Sequence, residues 1–179
     1  MLVSRITEQK GFAYLLPALE QWLAEADAQV LMMGTGDQSY VGQLRSLNEK
    51  FPKRFVFVEG FDEALSHQLE AAGDFFLMPS LFEPCGLNQI YSLRYGTVPL
   101  VRLTGGLKDT VRDLTDNEAT GIGFSEPTVQ ALLEALDRAL ALYREAVLYK
   151  KVQQRGMQQR FGWAESAVQY QLLYQQLQP

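Results

Sequence analysis

The sequence alternates between short apolar runs and longer amphipathic segments, and this alternation limits the possible folds more than any other feature. Leu2 and Val3 form a stub of the first apolar run, and the later runs lie at 29–33, 55–58, 75–78 and 98–101. Apolar residues at helical spacing fill the segments at 11–26, 39–50, 62–72 and 87–95. This order is typical of βαβ units, whose continuous apolar strands are buried on both faces. The sequence therefore predicts an α/β fold, a Rossmann-like parallel sheet with helices on both faces.

The second half of the chain follows this order less closely. Residues 109–118 predict a mobile loop, residues 129–149 one long helix, and residues 161–177 a last helix. Pro99 lies within an apolar run and weakens the prediction of a strand there, because proline donates no hydrogen bond to a sheet. The length of 179 residues suits a single domain over residues 1–179. The very short first strand suggests a piece of a longer protein.

Composition excludes several classes of protein. Hydrophobic residues make up 47% of the chain and charged residues 21%, which is ordinary for a globular domain. No apolar run is long enough to span a membrane, and nothing reads as a secretory signal. The single cysteine allows neither an internal disulfide nor a cysteine-rich zinc site. The net charge of −5 argues against a nucleic-acid partner, so any anion must be bound by a local cluster of cations.

Candidate binding residues follow the ends of the first two strands, where doubly wound sheets bind ligands. Arg5 and Lys10 flank the turn after the first strand. They are either solvated or paired with acids, or they form a clamp for an anion. Gly34 and Gly36 follow the second strand, where they either let the backbone approach a ligand closely or make a simple turn.

The segment after the third strand offers an aromatic residue and the one histidine of the chain. Phe61 precedes Asp62, whose carboxylate is suited to cap the next helix. Phe61 belongs either to the core or to a site for a planar base. His67 lies in the middle of the predicted helix, and we interpret it as structural rather than catalytic.

The segment after the fourth strand, residues 80–89 with the sequence SLFEPCGLNQ, is the most unusual part of the chain. Glu83 stands at the mouth of the sheet, either as a cap for the next helix or as a contact for a ligand. The first free N–H groups of that helix fall near Gly86, Leu87 and Asn88, where the helix dipole favours an anion. The segment therefore suits a ligand that carries both hydroxyl groups and phosphate.

Two further features lie near this segment. Cys85 has no base beside it in the sequence, so we interpret it as a packed residue and not as a nucleophile. Gly105 and Gly106 follow the fifth strand and precede a polar turn. They offer a second cluster of backbone N–H groups at the same edge of the sheet.

Several segments resemble the bacterial glycogen synthase and plant starch synthase family. The central ones are residues 80–89, residues 94–99 (RYGTVP) and residues 104–111 (TGGLKDTV). Ser4 and Arg5 with residues 9–11, and the closing segment 161–174, are similar to the same family. The resemblance thus covers the whole length, and its motifs are long and in order.

The resemblance implies that the chain is the C-terminal, donor-binding half of a glycosyltransferase-B fold. The implied reaction is retaining transfer of glucose from ADP-glucose to the non-reducing end of an α-1,4-glucan. Helices at about 150–178 would cross to an N-terminal domain, which would supply the acceptor contacts. The resemblance also implies no cofactor, no metal, and a location in the cytoplasm of a bacterium or, for a plant protein, in a plastid.

The resemblance assigns roles to individual residues. Arg5 and Lys10 would hold the diphosphate and stabilise the departing ADP, and Glu83 would meet the donor sugar. Phe61 would lie at the nucleobase, and Leu107 would line the donor pocket. The implied substrate-binding residues are Arg5, Lys10, Gly34, Gly36, Phe61, Glu83, Cys85, Gly86, Leu87, Asn88, Gly105 and Gly106.

One departure and two alternatives complete the prediction. Many related glycosyltransferases carry a second glutamate where this chain has Tyr91, which argues against a relative of sucrose synthase. No second acid is apparent near Glu83, which favours front-side transfer over a two-carboxylate mechanism.

We expect the chain alone to bind ADP without transferring glucose. The alternatives are a non-catalytic nucleotide-binding or glucan-binding module and a glucan phosphorylase, whose pyridoxal phosphate lysine has no counterpart here.

Overall fold

The computed structural model describes residues 1–177, so residue 178 of the predicted crossing helices lies outside the described residues. The strands are β1 (Leu2–Val3), β2 (Val30–Gly34), β3 (Phe55–Glu59), β4 (Phe75–Met78), β5 (Val98–Arg102) and β6 (Ile122–Phe124). The helices are α1 (Phe12–Glu25), α2 (Gln38–Lys50), α3 (Glu63–Ala72), α4 (Asn88–Tyr95), α5 (Gly105–Thr110), α6 (Val129–Arg144), α7 (Ala146–Gln158) and α8 (Trp163–Gln176). A 3₁₀ turn at Glu8–Lys10 precedes α1. The predicted alternation is confirmed from β1 to β5.

The strands are parallel and form two groups, β1-β2-β3 and β4-β5-β6. Met1 joins them, because its amine donates to the Phe75 carbonyl at 2.7 Å and its carbonyl accepts from the Leu77 N–H at 2.7 Å. The combined strand order is therefore 3-2-1-4-5-6, which reverses direction between β1 and β4. In such a sheet the ligand crevice lies at the carboxyl ends of the two strands at the reversal.

Neighbouring residues of each strand point to opposite faces of the sheet. One face packs against α1, α2 and α6 and includes Leu2, Met32, Leu77 and Leu100. The other face packs against α3 and α5 and includes Val3, Met33, Phe76 and Val101. All eight side chains are buried. The predicted sheet with helices on both faces is thereby confirmed.

Pro99 lies inside β5 opposite Phe76 of β4, and it costs the sheet no hydrogen bond. The N–H of Val98 donates to the Asp74 carbonyl on the β4 side. Since successive residues of a strand alternate in direction, the missing N–H of Pro99 faces β6. Pairing with β6 begins only at Leu100, so this position has no strand partner to lose.

The prediction of one helix over 129–149 is wrong. Glu145, with φ −92° and ψ 69°, leaves the helical region and separates α6 from α7. The break lets α7 turn and pack against α4 and α6, which buries Val152 and Gly156. Val147 and Leu148 continue the apolar spacing of α6 but are exposed, so the apolar pattern alone concealed the break.

The region between β5 and α6 also differs from the prediction. Gly105 and Gly106 begin a helix instead of preceding a polar turn, and β6 is an additional strand. The loop expected at 109–118 begins later, because α5 extends to Thr110. None of the helices within residues 1–177 is both long enough and apolar enough to cross a membrane.

Candidate functional site

Hydrogen bonds from the turn after β1 and from α1 fasten these elements to the loop after β4. The Leu81 N–H donates to the Gln9 carbonyl at 2.8 Å, and the Gln9 side chain donates to the Phe82 carbonyl at 3.1 Å. From α1, the Tyr14 hydroxyl donates to the Pro79 carbonyl at 2.5 Å. Burial raises the pKa of Tyr14, so the hydroxyl retains the proton that it donates. The two loops at the reversal of the sheet are therefore held as one unit.

Two side chains that sequence reasoning missed support the same loop from behind. Arg102, at the end of β5, donates to the Leu81 carbonyl at 2.6 Å. The Gln89 amide is fully buried and donates to the carbonyls of Cys85 and Gly86 at 3.0 and 3.1 Å. No sequence pattern distinguishes Arg102 from an ordinary polar residue, because its partner is a backbone carbonyl 21 residues away. The partners of Gln89 are local, but they are backbone carbonyls and leave no mark in the sequence either.

Lys10 and Glu83 form an ion pair at the centre of this unit. The Lys10 Nζ lies 2.5 Å from Glu83 Oε2, and the Ser80 hydroxyl donates to the same oxygen at 3.1 Å. The side chains are 17% and 10% exposed, so this pair is largely shielded from water. Lys10 is thus paired with Glu83, which is itself a candidate catalytic residue. Glu83 does not cap α4.

A cavity of about 590 Å³ opens beside this pair. Eight predicted site residues line it: Arg5, Lys10, Gly34, Phe61, Glu83, Gly86, Leu87 and Asn88. Asn88 also ties α4 to the end of β1, because its amide donates to the Val3 carbonyl at 2.9 Å. Among the residues that the structure describes, no side chain caps the N-terminus of α4. Its first N–H groups are therefore open to an acceptor from a ligand.

Two lining residues keep their side chains free for a ligand. Arg5 is exposed and forms no ion pair with any residue of the described chain. Phe61 is 71% exposed in the loop before α3. An exposed phenylalanine at the rim of a cavity presents a face on which a planar ring can stack. Of the two interpretations of Phe61, the structure excludes a place in the core.

The other four predicted substrate-binding residues do not line the cavity, and neither does Leu107, which is buried in the core. Gly36 bridges to Ile6 in the backbone, and Cys85 is exposed with its thiol on the Gly86 carbonyl. Gly105 and Gly106 lie behind the loop, where the Gly106 N–H donates to the Glu83 carbonyl at 3.0 Å. That N–H is therefore engaged within the protein. A Cβ on Gly106 would lie 2.6 Å from the Cα of Cys85, so glycine is what allows this close approach.

The cavity also contains a group of side chains from α3 and α4 that the sequence did not indicate as a site. They are Glu63, Ser66, His67, Glu70 and Tyr91. His67 Nδ1 lies 3.2 Å from Glu70 Oε2, as the structural interpretation of His67 expects. Burial raises the pKa of Glu70, and the hydrogen bond with His67 opposes this rise. Within residues 1–177, no cluster of three or more histidine, cysteine, aspartate or glutamate side chains is suited to hold a metal ion.

Comparison with known proteins agrees with this architecture. The family described as "Glycosyl transferases group 1" matches residues 1–158. Curated glycogen synthases from Thioalkalivibrio sulfidiphilus and Aeromonas hydrophila are 52% and 49% identical over 98% and 97% of this chain. The chain spans 37% and 36% of the length of those relatives.

Among solved structures, the catalytic domain of starch synthase IV from Arabidopsis thaliana, bound to ADP and acarbose, superimposes with a TM-score of 0.86. It is 33% identical, and the match covers 98% of this chain and 37% of that one. The sucrose-phosphate synthase of Thermosynechococcus elongatus matches with a TM-score of 0.70 at 28% identity, over 98% of this chain and 44% of that one. The fold class and the resemblance to glycogen and starch synthases are thereby confirmed.

Proposed function

The chain belongs to the group 1 glycosyl transferases, and we propose that it is the donor-binding part of a glycogen synthase. The proposed reaction is retaining transfer of glucose from ADP-glucose to the non-reducing end of an α-1,4-glucan. The observation that supports it most is the Lys10–Glu83 pair, which lies in the cavity beside the uncapped N-terminus of α4. This arrangement supports the proposal, because a ligand that carries phosphate and hydroxyl groups needs cations, helix N–H groups and a carboxylate around one cavity.

The cations and the helix terminus are suited to a diphosphate. Arg5 offers an unengaged guanidinium group, and Lys10 offers an ammonium group that Glu83 already holds in place. As the bond between glucose and phosphate breaks, negative charge grows on the departing ADP. Preorganised positive groups stabilise that charge, and one such group typically contributes about 3–4 kcal/mol to lowering the barrier. Because this chain supplies that charge itself, we propose that the reaction needs neither a metal nor a cofactor.

Glu83 is suited to position the donor sugar. Its Oε2 is held by Lys10 and Ser80, which makes it a poor nucleophile but a fixed acceptor for a sugar hydroxyl. We therefore propose front-side transfer. The bond from the anomeric carbon to the phosphate oxygen breaks, the acceptor hydroxyl bonds to the same face of that carbon, and its proton passes to the departing phosphate.

The glucan acceptor and its domain are part of the same proposal. The resemblance implies that helices at about 150–178 cross to the N-terminal domain. Residues 150–158 belong to α7, which packs on this domain. No residue of α8 is buried, so α8 is the part available to a further domain. The two relatives reported above are bacterial enzymes, and we propose a cytoplasmic location in a bacterium.

Calorimetric titration of ADP into the purified chain tests the proposal. We expect binding, and we expect Arg5→Ala and Lys10→Ala each to weaken it about tenfold or more, the usual effect of a lost charged hydrogen bond. Arg45→Ala and Lys50→Ala are matched controls, because these cations pair with Glu59 and Glu20 on the surface. A chelator should leave the affinity unchanged.

Urea unfolding of each variant verifies that it still folds. The absence of ADP binding by the unaltered chain would contradict the proposal. Equal ADP affinity in Lys10→Ala and in the unaltered chain would instead favour a non-catalytic binding module.

A further inference from the structure

The proposed diphosphate and nucleobase contacts use only part of the cavity. Its α3 wall consists of Glu63, Ser66, His67 and Glu70, residues that share one face of the helix. Tyr91 of α4 continues this wall. No role in the reaction described above involves these side chains, so the wall itself needs an explanation.

His67 is held in a fixed orientation within this wall. Its Nδ1 is bonded to the Glu70 carboxylate, which is 2% exposed. The ring centroid of His67 lies 5.8 Å from that of Tyr91 in an edge-on arrangement. Among residues 1–177, His67 Nε2 forms no hydrogen bond, although the side chain is 43% exposed. The ring therefore offers one free nitrogen at a cavity wall, and a buried carboxylate sets its orientation.

The position of His67 indicates which part of a nucleotide it meets. The proposed phosphate site is the N-terminus of α4, and the proposed base site is Phe61 in the loop before α3. The two helices pack against each other, and His67 and Tyr91 meet at their junction. In a nucleoside diphosphate, the ribose connects the base to the phosphates. A ligand that reaches from Phe61 to the start of α4 must therefore carry its ribose across this junction.

We propose that His67, oriented by Glu70, binds a ribose hydroxyl of the nucleotide and so selects ribonucleotides over deoxyribonucleotides. This inference rests on the proposed function, because it takes the ligand to be a nucleoside diphosphate. A ring nitrogen at hydrogen-bond distance distinguishes a hydroxyl from a hydrogen strongly, since the deoxy ligand leaves that nitrogen without a partner. His67 is a specificity-determining residue in this account, and Glu70 is a positioning residue.

Titrations of ADP, 2′-deoxy-ADP and 3′-deoxy-ADP into the unaltered chain and into His67→Ala test the inference. We expect the unaltered chain to bind at least one deoxy nucleotide about tenfold more weakly than ADP, as for one lost hydrogen bond. His67→Ala should bind ADP more weakly and should lose that discrimination. Glu70→Gln should reduce the discrimination without abolishing ADP binding. Tyr91→Phe keeps the ring contact with His67 and should retain the discrimination.

Magnetic resonance of the imidazole nitrogens provides a measurement that does not depend on whether a variant folds. The chain has one histidine, so its signals need no assignment. ADP should shift the Nε2 signal of His67, and inorganic pyrophosphate should leave it unchanged. Equal discrimination in His67→Ala, or no discrimination by the unaltered chain, would overturn the inference while the proposed function stands. If the unaltered chain binds no ADP, both fail.

Discussion

Two nearly buried carboxylates at the cavity differ in what compensates their charge. Glu83 pairs with the ammonium group of Lys10 and accepts from Ser80. Glu70 is 1% exposed, and its carboxylate is bonded to His67 alone among the described side chains. An imidazole carries a charge only when it is protonated, and burial raises the pKa of Glu70. Burial therefore disfavours the ionised form of Glu70.

We predict that Glu70→Gln becomes more stable relative to the unaltered chain as the pH rises. A carboxyl whose pKa is raised by folding stabilises the protein below its unfolded pKa of 4.5, and this stability is lost as the pH rises through the folded pKa. Glutamine is neutral at every pH and avoids the loss. Urea unfolding at pH values from about 4, below the unfolded pKa, to about 8 measures the difference in free energy of unfolding.

The matched control is Glu49→Gln, at an exposed position of α2. The difference in free energy of unfolding between Glu49→Gln and the unaltered chain should stay constant over the same pH range. A constant difference for Glu70→Gln as well would mean that burial does not raise the pKa of this carboxyl.

At the scale of elements, the site depends on how closely α5 approaches the loop before α4. A Cβ on Gly106 would overlap the Cys85 carbonyl, which is backbone and cannot rotate away. We predict that Gly106→Ala displaces the loop that carries Glu83, lowers the free energy of unfolding by about 1–3 kcal/mol as in other overpacked sites, and weakens ADP binding. Urea unfolding and calorimetry measure the two effects.

Gly42 provides the control for this substitution. It also lies in a helix, α2, but a Cβ there would meet no atom within 4 Å. Gly42→Ala should raise the free energy of unfolding by about 0.5–1 kcal/mol, the usual gain for alanine over glycine inside a helix. If Gly106→Ala and Gly42→Ala raised the free energy of unfolding equally, α5 would not contact the loop before α4 closely.

Asp113 connects the loop after α5 to β6 and α6. Its Oδ1 accepts from the Gly123 N–H of β6 at 2.7 Å and from Arg138 of α6 at 2.6 Å. Burial alone would raise the pKa of Asp113, but these bonds and those from Thr115 outweigh it and lower the pKa. We predict that Asp113→Asn lowers the free energy of unfolding by about 1–3 kcal/mol at neutral pH.

The pH dependence of this effect has the opposite sign to that of Glu70. Stability from a carboxyl with a lowered pKa is present above its unfolded value of 3.8 and is lost as the pH falls through the folded pKa. The cost of Asp113→Asn should therefore shrink in acid. Asp109→Asn, at an exposed position of α5, should have little effect at any pH. If both variants cost the same, Asp113 does not anchor β6.

The sequence predicted elements whose pattern is local and missed features that depend on distant contacts. The runs that became β2, β4 and β5 were recognisable because strands buried on both faces are continuously apolar. The run of β3 is also apolar, although Val56 is exposed. By contrast, β6 has three residues, too few for a periodic signal. The break at Glu145 and the support from Arg102 both depend on tertiary partners, which a single sequence does not display.

At the scale of the whole molecule, the strand order explains how one site forms from distant segments. Lys10 and Glu83 are 73 residues apart in the chain, yet they follow β1 and β4, the strands on either side of the reversal. A doubly wound sheet brings together the carboxyl ends of the strands on either side of its reversal. The proximity of Lys10 and Glu83 could therefore be predicted from the fold class. Their direct pairing could not, because it depends on the hydrogen bonds between the two loops.

The helix α8 exposes a large apolar surface. Its exposed large apolar side chains are Trp163, Val168, Tyr170, Leu172, Leu173 and Tyr174. Isolated helices are marginal in water, and most helical stability in proteins comes from packing of an apolar face. In the proposed enzyme, a second domain would cover this helix and close the cavity over the donor.

We therefore predict that the purified chain binds ADP but transfers no glucose from ADP-glucose to glycogen. Correct alignment of donor and acceptor typically supplies about 7–11 kcal/mol of the barrier reduction, and a donor site open to water lacks it. Incorporation of labelled glucose into glycogen by this chain measures transfer, and a complete glycogen synthase from Aeromonas hydrophila serves as the positive control. Hydrolysis of ADP-glucose by water should stay near background in the same assay. Sustained extension of glycogen by the chain alone would show that residues 1–179 hold a whole active site, and the role proposed for a second domain would be wrong.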